Sequence, residues 1–418
     1  MNKNRKTIFV SALMAIGVTT AALIAVAQQG QITLKIAGWA GTGATGPAVW
    51  KMINDKFTNE NPGIRVEYEG IQNEGYPAVL RTRVAGGDAP DAFESTLSDS
   101  VQFFKSGLIA DLSKESWVKE MNVNARKVNS LDGKTYQLVL GFVGVGMLYN
   151  QEVLDQAGVK EVPANFPELL IACDKIKAIG KTPFLIGAKD SWGLKMLSFL
   201  LAANTVYRTD PNFDVRLVTG KAKVDSPSWR LVFSRIQKMS SRGCFNATLS
   251  PGIESFNQTV NELSANRVAF VPHGSWSPSD VKKANPTLKF AFGAFPGGSA
   301  GSKPYAITLP ASSFVVNAKG KNTEAARKYL AFLARQDVLK LHLQLIGAFS
   351  PRIGDKNYQM AELDPFSEAV ASNRSSTYPF INIPGFEDFY GKGLQDLIAG
   401  KSPAEVARYI DAEYGKKK

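Results

Sequence analysis

The chain has 418 residues, of which 44% are hydrophobic and 21% charged, and a formal net charge of +12. That length predicts two or three domains, and the composition excludes a disordered or fibrous protein. Two cysteines and two histidines, His273 and His342, exclude a disulfide-rich scaffold, a thiolate zinc site and a three-histidine metal centre. A nucleic-acid binder could carry such a charge, but Lys and Arg gather only at Lys3, Arg5 and Lys6 and at Lys416 to Lys418, and no basic stripe links them.

Residues 1–27 read as a secretory signal. Lys3, Arg5 and Lys6 make a positive start, Ile8 to Ala25 is apolar and uncharged, and Ala25-Val26-Ala27 fits a cleavage pattern that leaves Gln28 first. The competing reading is an uncleaved anchor. No later segment is apolar for long enough to span a bilayer. Export makes Cys173 and Cys244 candidates for one disulfide, with two buried free thiols as the alternative; Cys173 shares a helix face with Leu169 and Ile176.

The first predicted strand is Ile32 to Ala37, followed by a glycine-rich loop, Gly38 to Gly46. Pro47 suits the first turn of a helix carrying Trp50, Ile53 and Phe57 at helical spacing. Asn61-Pro62-Gly63 ends it, and Ile64, Val66 and Tyr68 alternate as a second strand. A helix from about Tyr76 to Ala85 stops at Gly86-Gly87. Strand, helix, strand, helix predicts a parallel sheet with crossover helices. Farther on, the sequence predicts helices over Pro167 to Gly180, Pro227 to Arg242 (with Leu231, Ile236 and Met239 in the core) and Asn322 to Gly347. It also predicts strands over Pro183 to Ile186 and Val268 to Val271. Ser402 and Glu405 form a capping box, with Pro403 at the first helical position. Leu140 to Met147 and Phe295 to Lys303, both glycine-rich, are candidate hinges between lobes.

Gly41, Gly43 and Gly46 fit a dinucleotide fingerprint after a strand, with Glu67 or Glu69 at the end of the next. This is the basis of an alternative reading as a secreted nicotinamide-dependent oxidoreductase. Against it, Trp39 and Ala40 separate the motif from the strand end, and Pro47 removes a helix N-terminal donor.

Four segments resemble the extracellular solute-binding proteins of ABC importers, in the carbohydrate-binding family (family 1 type). They are Asn54 to Phe57 with Asn61 to Val66 and Leu80 to Asp91; Leu148 to Gly158; Asn266 to Phe270 with Gly274-Ser275-Trp276; and Asn322 to Leu330 through Gly347 to Arg352. The resemblance runs in order along the whole mature chain. It implies an α/β, two-lobe periplasmic-binding-protein fold (class II type), each lobe a mostly parallel sheet flanked by helices, with the ligand cleft between. The boundaries expected are 28–142 with 297–347 for the N-terminal lobe, and 143–296 with 348–418 for the C-terminal lobe. It further implies a periplasmic, monomeric, non-enzymatic protein without cofactor, metal or nucleic acid, which closes on a carbohydrate and delivers it to transmembrane permease subunits. A sugar site needs aromatic faces and polar groups aimed at hydroxyls. Trp39, Trp192 and Trp276 are the candidate walls, although any single tryptophan is more often a core residue. Glu94, Thr96, Arg352, Thr42 and Ser312 are the candidate polar contacts. His273 reads as a loop residue beside Trp276.

Overall fold

A computed structural model of the chain describes residues 31–39, 46–71, 76–353, 360–377 and 386–416. The expected signal segment, its cleavage site, Thr42 and the loop carrying Gly41 and Gly43 lie outside these. In chain order the strands are β1 (Ile32–Trp39), β2 (Ile64–Ile71), β3 (Ala92–Glu94), β4 (Leu138–Val139), β5 (Phe142–Asn150), β6 (Thr182–Phe184), β7 (Val268–Gly274), β8 (Phe290–Gly293), β9 (Ala306–Pro310), β10 (Ser313–Val316) and β11 (Ser375–Thr377). A small hairpin, Ser130–Leu131 against Lys134–Thr135, stands apart.

Two sheets result. The first has the order β2-β1-β3-β10-β4, with β1 parallel to β2 and β3 and with β10 antiparallel to β3 and β4. The helices Gly46–Glu60 and Tyr76–Gly86 make the two crossovers that parallel pairing requires. Trp50, Ile53 and Phe57 turn inward at helical spacing and join Tyr329 and Phe332 of the helix Thr323–Leu333 in the first core. The second sheet has the order β11-β9-β5-β7-β6, with β8 also on β5. Here β6 pairs parallel with β7 and β9 with β11, while the long β5 runs antiparallel to β7, β8 and β9. The second sheet is therefore mixed. β5 is the exception to parallel order because it enters from the other lobe and runs away from it.

Topology places the carboxyl ends of both sheets at the passage between them. β1 and β3 end at Trp39 and Glu94, and Glu94 lies opposite Phe314, beside the start of β10. In the second sheet β7 ends with Gly274 opposite Val145, near the start of β5, and β9 ends with Pro310 opposite Phe142. The chain passes between the sheets at Leu140–Phe142, Pro310–Ser313 and Gly347–Phe349. These passages bond to one another: Leu140 N–H donates to Ser312 O (2.8 Å), Ala311 N–H to Gly141 O (2.8 Å), and Phe142 and Phe349 exchange bonds of 2.9 and 2.7 Å.

Several expectations need correction. The return passage is not at 297: β9 belongs to the second sheet, and the glycine-rich segment before it is fastened to the same lobe. Asn204 Nδ2 donates to Phe295 O (3.1 Å) and Tyr305 N–H to Asn204 Oδ1 (3.1 Å), while the Arg235 guanidinium, buried over the Phe166 ring, donates to Gly297 O. The expected long helix is two, Thr323–Leu333 and Gln336–Ile346, because Arg335 is extended (ψ 142°). Leu231 is exposed (43%), since the buried face of its helix runs through Trp229, Val232, Ile236 and Met239. Val268–Gly274 is a longer strand than expected, so His273 lies in a sheet and not in a loop. Cys173 and Cys244 are joined as a disulfide, with Cα atoms 5.3 Å apart. Among the described residues no helix is long and apolar enough to cross a membrane.

The glycines of β5 serve close packing. A Cβ on Gly144 would overlap the Phe366 ring, and one on Gly146 would overlap the Gly293 carbonyl, a backbone atom that no rotamer change can move. Gly146→Ala is therefore expected to cost about 1–3 kcal/mol, the usual penalty of overpacking. In thermal unfolding the midpoint should drop by several degrees, whereas Gly63→Ala, where nothing lies within 4 Å of the new Cβ, should leave it unchanged.

Candidate functional site

In open α/β sheets ligands bind outside the carboxyl ends of the strands. Most of the described sequence-selected residues lie near those ends, where the structure joins them into two groups; Arg352 belongs to neither.

The first group closes β1 and β3. Trp39, the last residue of β1, donates its N–H to Glu94 Oε2 at 2.6 Å, and its carbonyl accepts from the Tyr68 hydroxyl at 3.2 Å. Its ring lies 4.6 Å from that of Tyr76. The Tyr76 hydroxyl in turn donates to Glu94 O at 2.6 Å. Gly38 permits this approach, because a Cβ there would overlap the Glu94 carboxylate. Glu94 is only 1% exposed and also takes a hydrogen bond from Ser312, in the second passage between the sheets. Burial pushes its carboxyl up from an ordinary 4.5 to about 7, while the bonds from Ser312 and Trp39 N–H pull it down. Thr96 caps the helix Leu97–Lys105, its hydroxyl accepting from Asp99 N–H at 3.1 Å.

The second group is aromatic. Trp192 opens the helix Trp192–Ala202 behind Ser191, which has a left-handed backbone (φ 57°). Asp190 fixes this turn: Oδ1 accepts from Trp192 N–H (3.0 Å) and from the Ser255 hydroxyl (2.5 Å), and Oδ2 from Ser255 N–H (3.1 Å). The Trp192 ring lies 4.5 Å from Phe256, 5.4 Å from His273 and 6.3 Å from Trp276. Trp276 begins the turn into the helix Ser277–Ala284 and is half-buried, packing against the core of the first lobe although it belongs to the second. Trp39 packs on Tyr76 and makes no ring contact with this group among the described residues.

His273 is 2% exposed, and its Nδ1 accepts from Gly274 N–H at 2.9 Å. Burial lowers its pKa from 6.5 to about 4, so the ring is neutral. The sequence reading missed its place between the tryptophans, and missed Phe256. No local signal carried the strand past Val271, because Pro272 and Gly274 read as strand breakers; pairing with β5 extends it to Gly274. Arg352 sits away from both groups: its guanidinium donates to Ala334 O (2.8 Å) and pairs with Glu120 (2.7 Å). Among the described residues no cluster of His, Cys, Asp or Glu could hold a metal ion.

A family model for bacterial extracellular solute-binding proteins matches residues 52–354. The multiple sugar-binding protein of Streptococcus mutans is 23% identical over 340 residues, 78% of this chain and 77% of that one. The diacetylchitobiose binding protein of Streptomyces coelicolor is 24% identical over 403 residues, 91% and 88% of the two chains. A sugar transporter from Bacillus licheniformis, solved in complex with stachyose, superposes with a TM-score of 0.76 at 22% identity, covering 93% of this chain and all of that one. These likenesses agree with the fold described above and give no support to a nicotinamide-dependent oxidoreductase.

Two buried groups set a pH dependence of opposite sign. Glu94 holds its proton to about pH 7 in the fold but only to 4.5 when unfolded. Its contribution to stability is full below 4.5 and lost as pH rises through 7. Glu94→Gln is therefore expected to gain in unfolding midpoint relative to the parent between pH 5 and pH 8. His342 packs 5.3 Å from Trp50, and burial lowers its pKa from 6.5 to about 4. Its contribution is full above 6.5 and lost as pH falls through 4. His342→Leu should lose less midpoint than the parent between pH 6.5 and pH 4.5, as read by calorimetry.

Proposed function

The chain belongs to the family of bacterial extracellular solute-binding proteins, and on that premise we propose that it binds an uncharged oligosaccharide between its two lobes and delivers it to the permease subunits of an ABC importer. The observation that carries the sugar is the aromatic group of Trp192, Phe256 and Trp276 at the carboxyl end of the second sheet. Sugar rings present flat faces of C–H bonds, and indole faces are the matching surface. Trp39 is the corresponding candidate from the first lobe. Stachyose, bound in the Bacillus licheniformis structure, and diacetylchitobiose, named for the Streptomyces coelicolor relative, support an oligosaccharide over a single sugar.

The absence of charge from the ligand follows from how the charged candidates are used. Glu94 is inside the protein, bonded to Trp39 and Ser312, and Arg352 is paired with Glu120. We read Glu94, Thr96 and Ser312 as supports of the wall. Arg352 fastens the last passage to the first lobe, where it bridges to Met121. The protein works as a monomer in the periplasm after cleavage behind Ala27, and it performs no chemistry: lobe closure alone distinguishes its loaded state.

A thermal-shift series on the mature chain, refolded to strip any bound solute, tests this reading. Stachyose or diacetylchitobiose at about a hundred times its dissociation constant should add roughly 2.7 kcal/mol and raise the midpoint by several degrees. Uronic acids and NAD(P) should not. Trp192→Ala and Trp276→Ala should each weaken binding roughly tenfold or more, since each removes a stacking face. A shift with NAD(P) alone would overturn the proposal.

A further inference from the structure

Ser275 is 1% exposed and stands where the last passage between the sheets meets the aromatic wall. Its N–H donates to Gly144 O at 2.8 Å, and its hydroxyl oxygen accepts from Gly144 N–H at 3.0 Å, so it is bonded twice to one residue of β5. The same hydroxyl donates its proton to Gly347 O at 2.7 Å. Gly347 ends the helix Gln336–Ile346 of the first lobe in the left-handed region (φ 56°, ψ 41°), and a Cβ there would overlap the Ser275 carbonyl. Glycine is thus needed twice over, for its backbone angle and for this contact. Two residues later, Phe349 is bonded to Phe142 at the start of β5.

The residue after Ser275 is Trp276. Its ring lies over Gly274, where any Cβ would overlap it, and it packs against the first-lobe core while touching Trp192 and His273 of the second. A displacement of Gly347 relative to β5 therefore pulls on one hydroxyl, and that hydroxyl is one peptide away from the ring that touches both lobes.

We propose that Ser275 is a positioning residue that couples the last passage between the lobes to the placement of Trp276. Hinge rotation and the set of the aromatic wall are then one movement. The coupling itself rests on the geometry above; its effect on ligand affinity rests on the sugar reading.

The test isolates Trp276 by fluorescence, subtracting the spectrum of the Trp276→Phe protein from that of its parent. This is done in the Ser275 and Ser275→Ala backgrounds, well below the unfolding midpoint. A changed emission maximum for Trp276 in Ser275→Ala, with the fold retained by circular dichroism, is the expected result. Superposable Trp276 spectra in the two backgrounds, with only a lowered unfolding midpoint, would overturn the proposal and leave Ser275 a structural residue. Should Ser275→Ala not be recovered folded, Ser275→Cys, of similar volume but a weak donor, is read in the same way. In a second arm, stachyose and diacetylchitobiose are titrated against the parent and Ser275→Ala. A roughly tenfold loss, carried by faster dissociation, is expected. If the parent binds neither sugar, the sugar reading fails while the spectra still decide the coupling.

Discussion

The hydrogen-bonded joining of three passages between two sheets is the constraint on which the rest of this structure depends. Leu140 bonds to Ser312, Ala311 to Gly141, and Phe142 to Phe349 in both directions. A rotation of the lobes about the line these passages share is the relative motion that leaves the bonds between them intact. The same passages decide which ends of the strands face each other. Because β5 leaves them and runs outward, its antiparallel partners β7 and β9 return toward them. The parallel strands β1 and β3 of the first sheet also end there. The meeting of these strand ends is a consequence of chain direction before any side chain is considered.

Side chains then connect the walls to that joint. In the first lobe Glu94 spans from Trp39 to Ser312; in the second, Ser275 spans from Gly144 to Gly347, beside Trp276. A buried carboxylate without a cation beside it is costly, and Glu94 meets that cost by accepting hydrogen bonds and by holding its proton to about pH 7. The two histidines are likewise buried and neutral. The rings gathered at the carboxyl end of β7 are those of Trp192, Phe256 and Trp276 around His273. Such a surface suits a solute with alternating apolar faces and hydroxyl edges better than an ion.

Much of the architecture was legible in the chain. The opening strand–helix–strand–helix pattern, the core face carrying Trp50, Ile53 and Phe57, and the capping box of Ser402 and Glu405 are local, and local periodicity and capping chemistry report them. The errors arose where tertiary contacts decide. Glycines 297 and 298 look like a hinge but are fastened by Arg235 and by the Phe166 N–H, whereas the passage Pro310-Ala311-Ser312 contains no glycine. The apolar rhythm from Leu330 to Leu343 runs unbroken over Arg335, whose bonds to Glu60 and Asp337 accompany the break between the two helices. The bonds that Glu94 accepts from Trp39 and Ser312 were not legible locally, because those partners are distant in sequence. The pairing of Trp192 with Trp276 was likewise invisible: both were chosen separately, and only the fold brings their rings to 6.3 Å.

Small-angle X-ray scattering of the mature chain, without sugar and then with saturating stachyose or diacetylchitobiose, tests the central claim most directly. Rotation about the joined passages to close the lobes predicts a smaller radius of gyration and a shorter maximum dimension with one of the sugars, at unchanged mass. Scattering curves that superpose with and without a sugar shown by calorimetry to be bound would contradict the account.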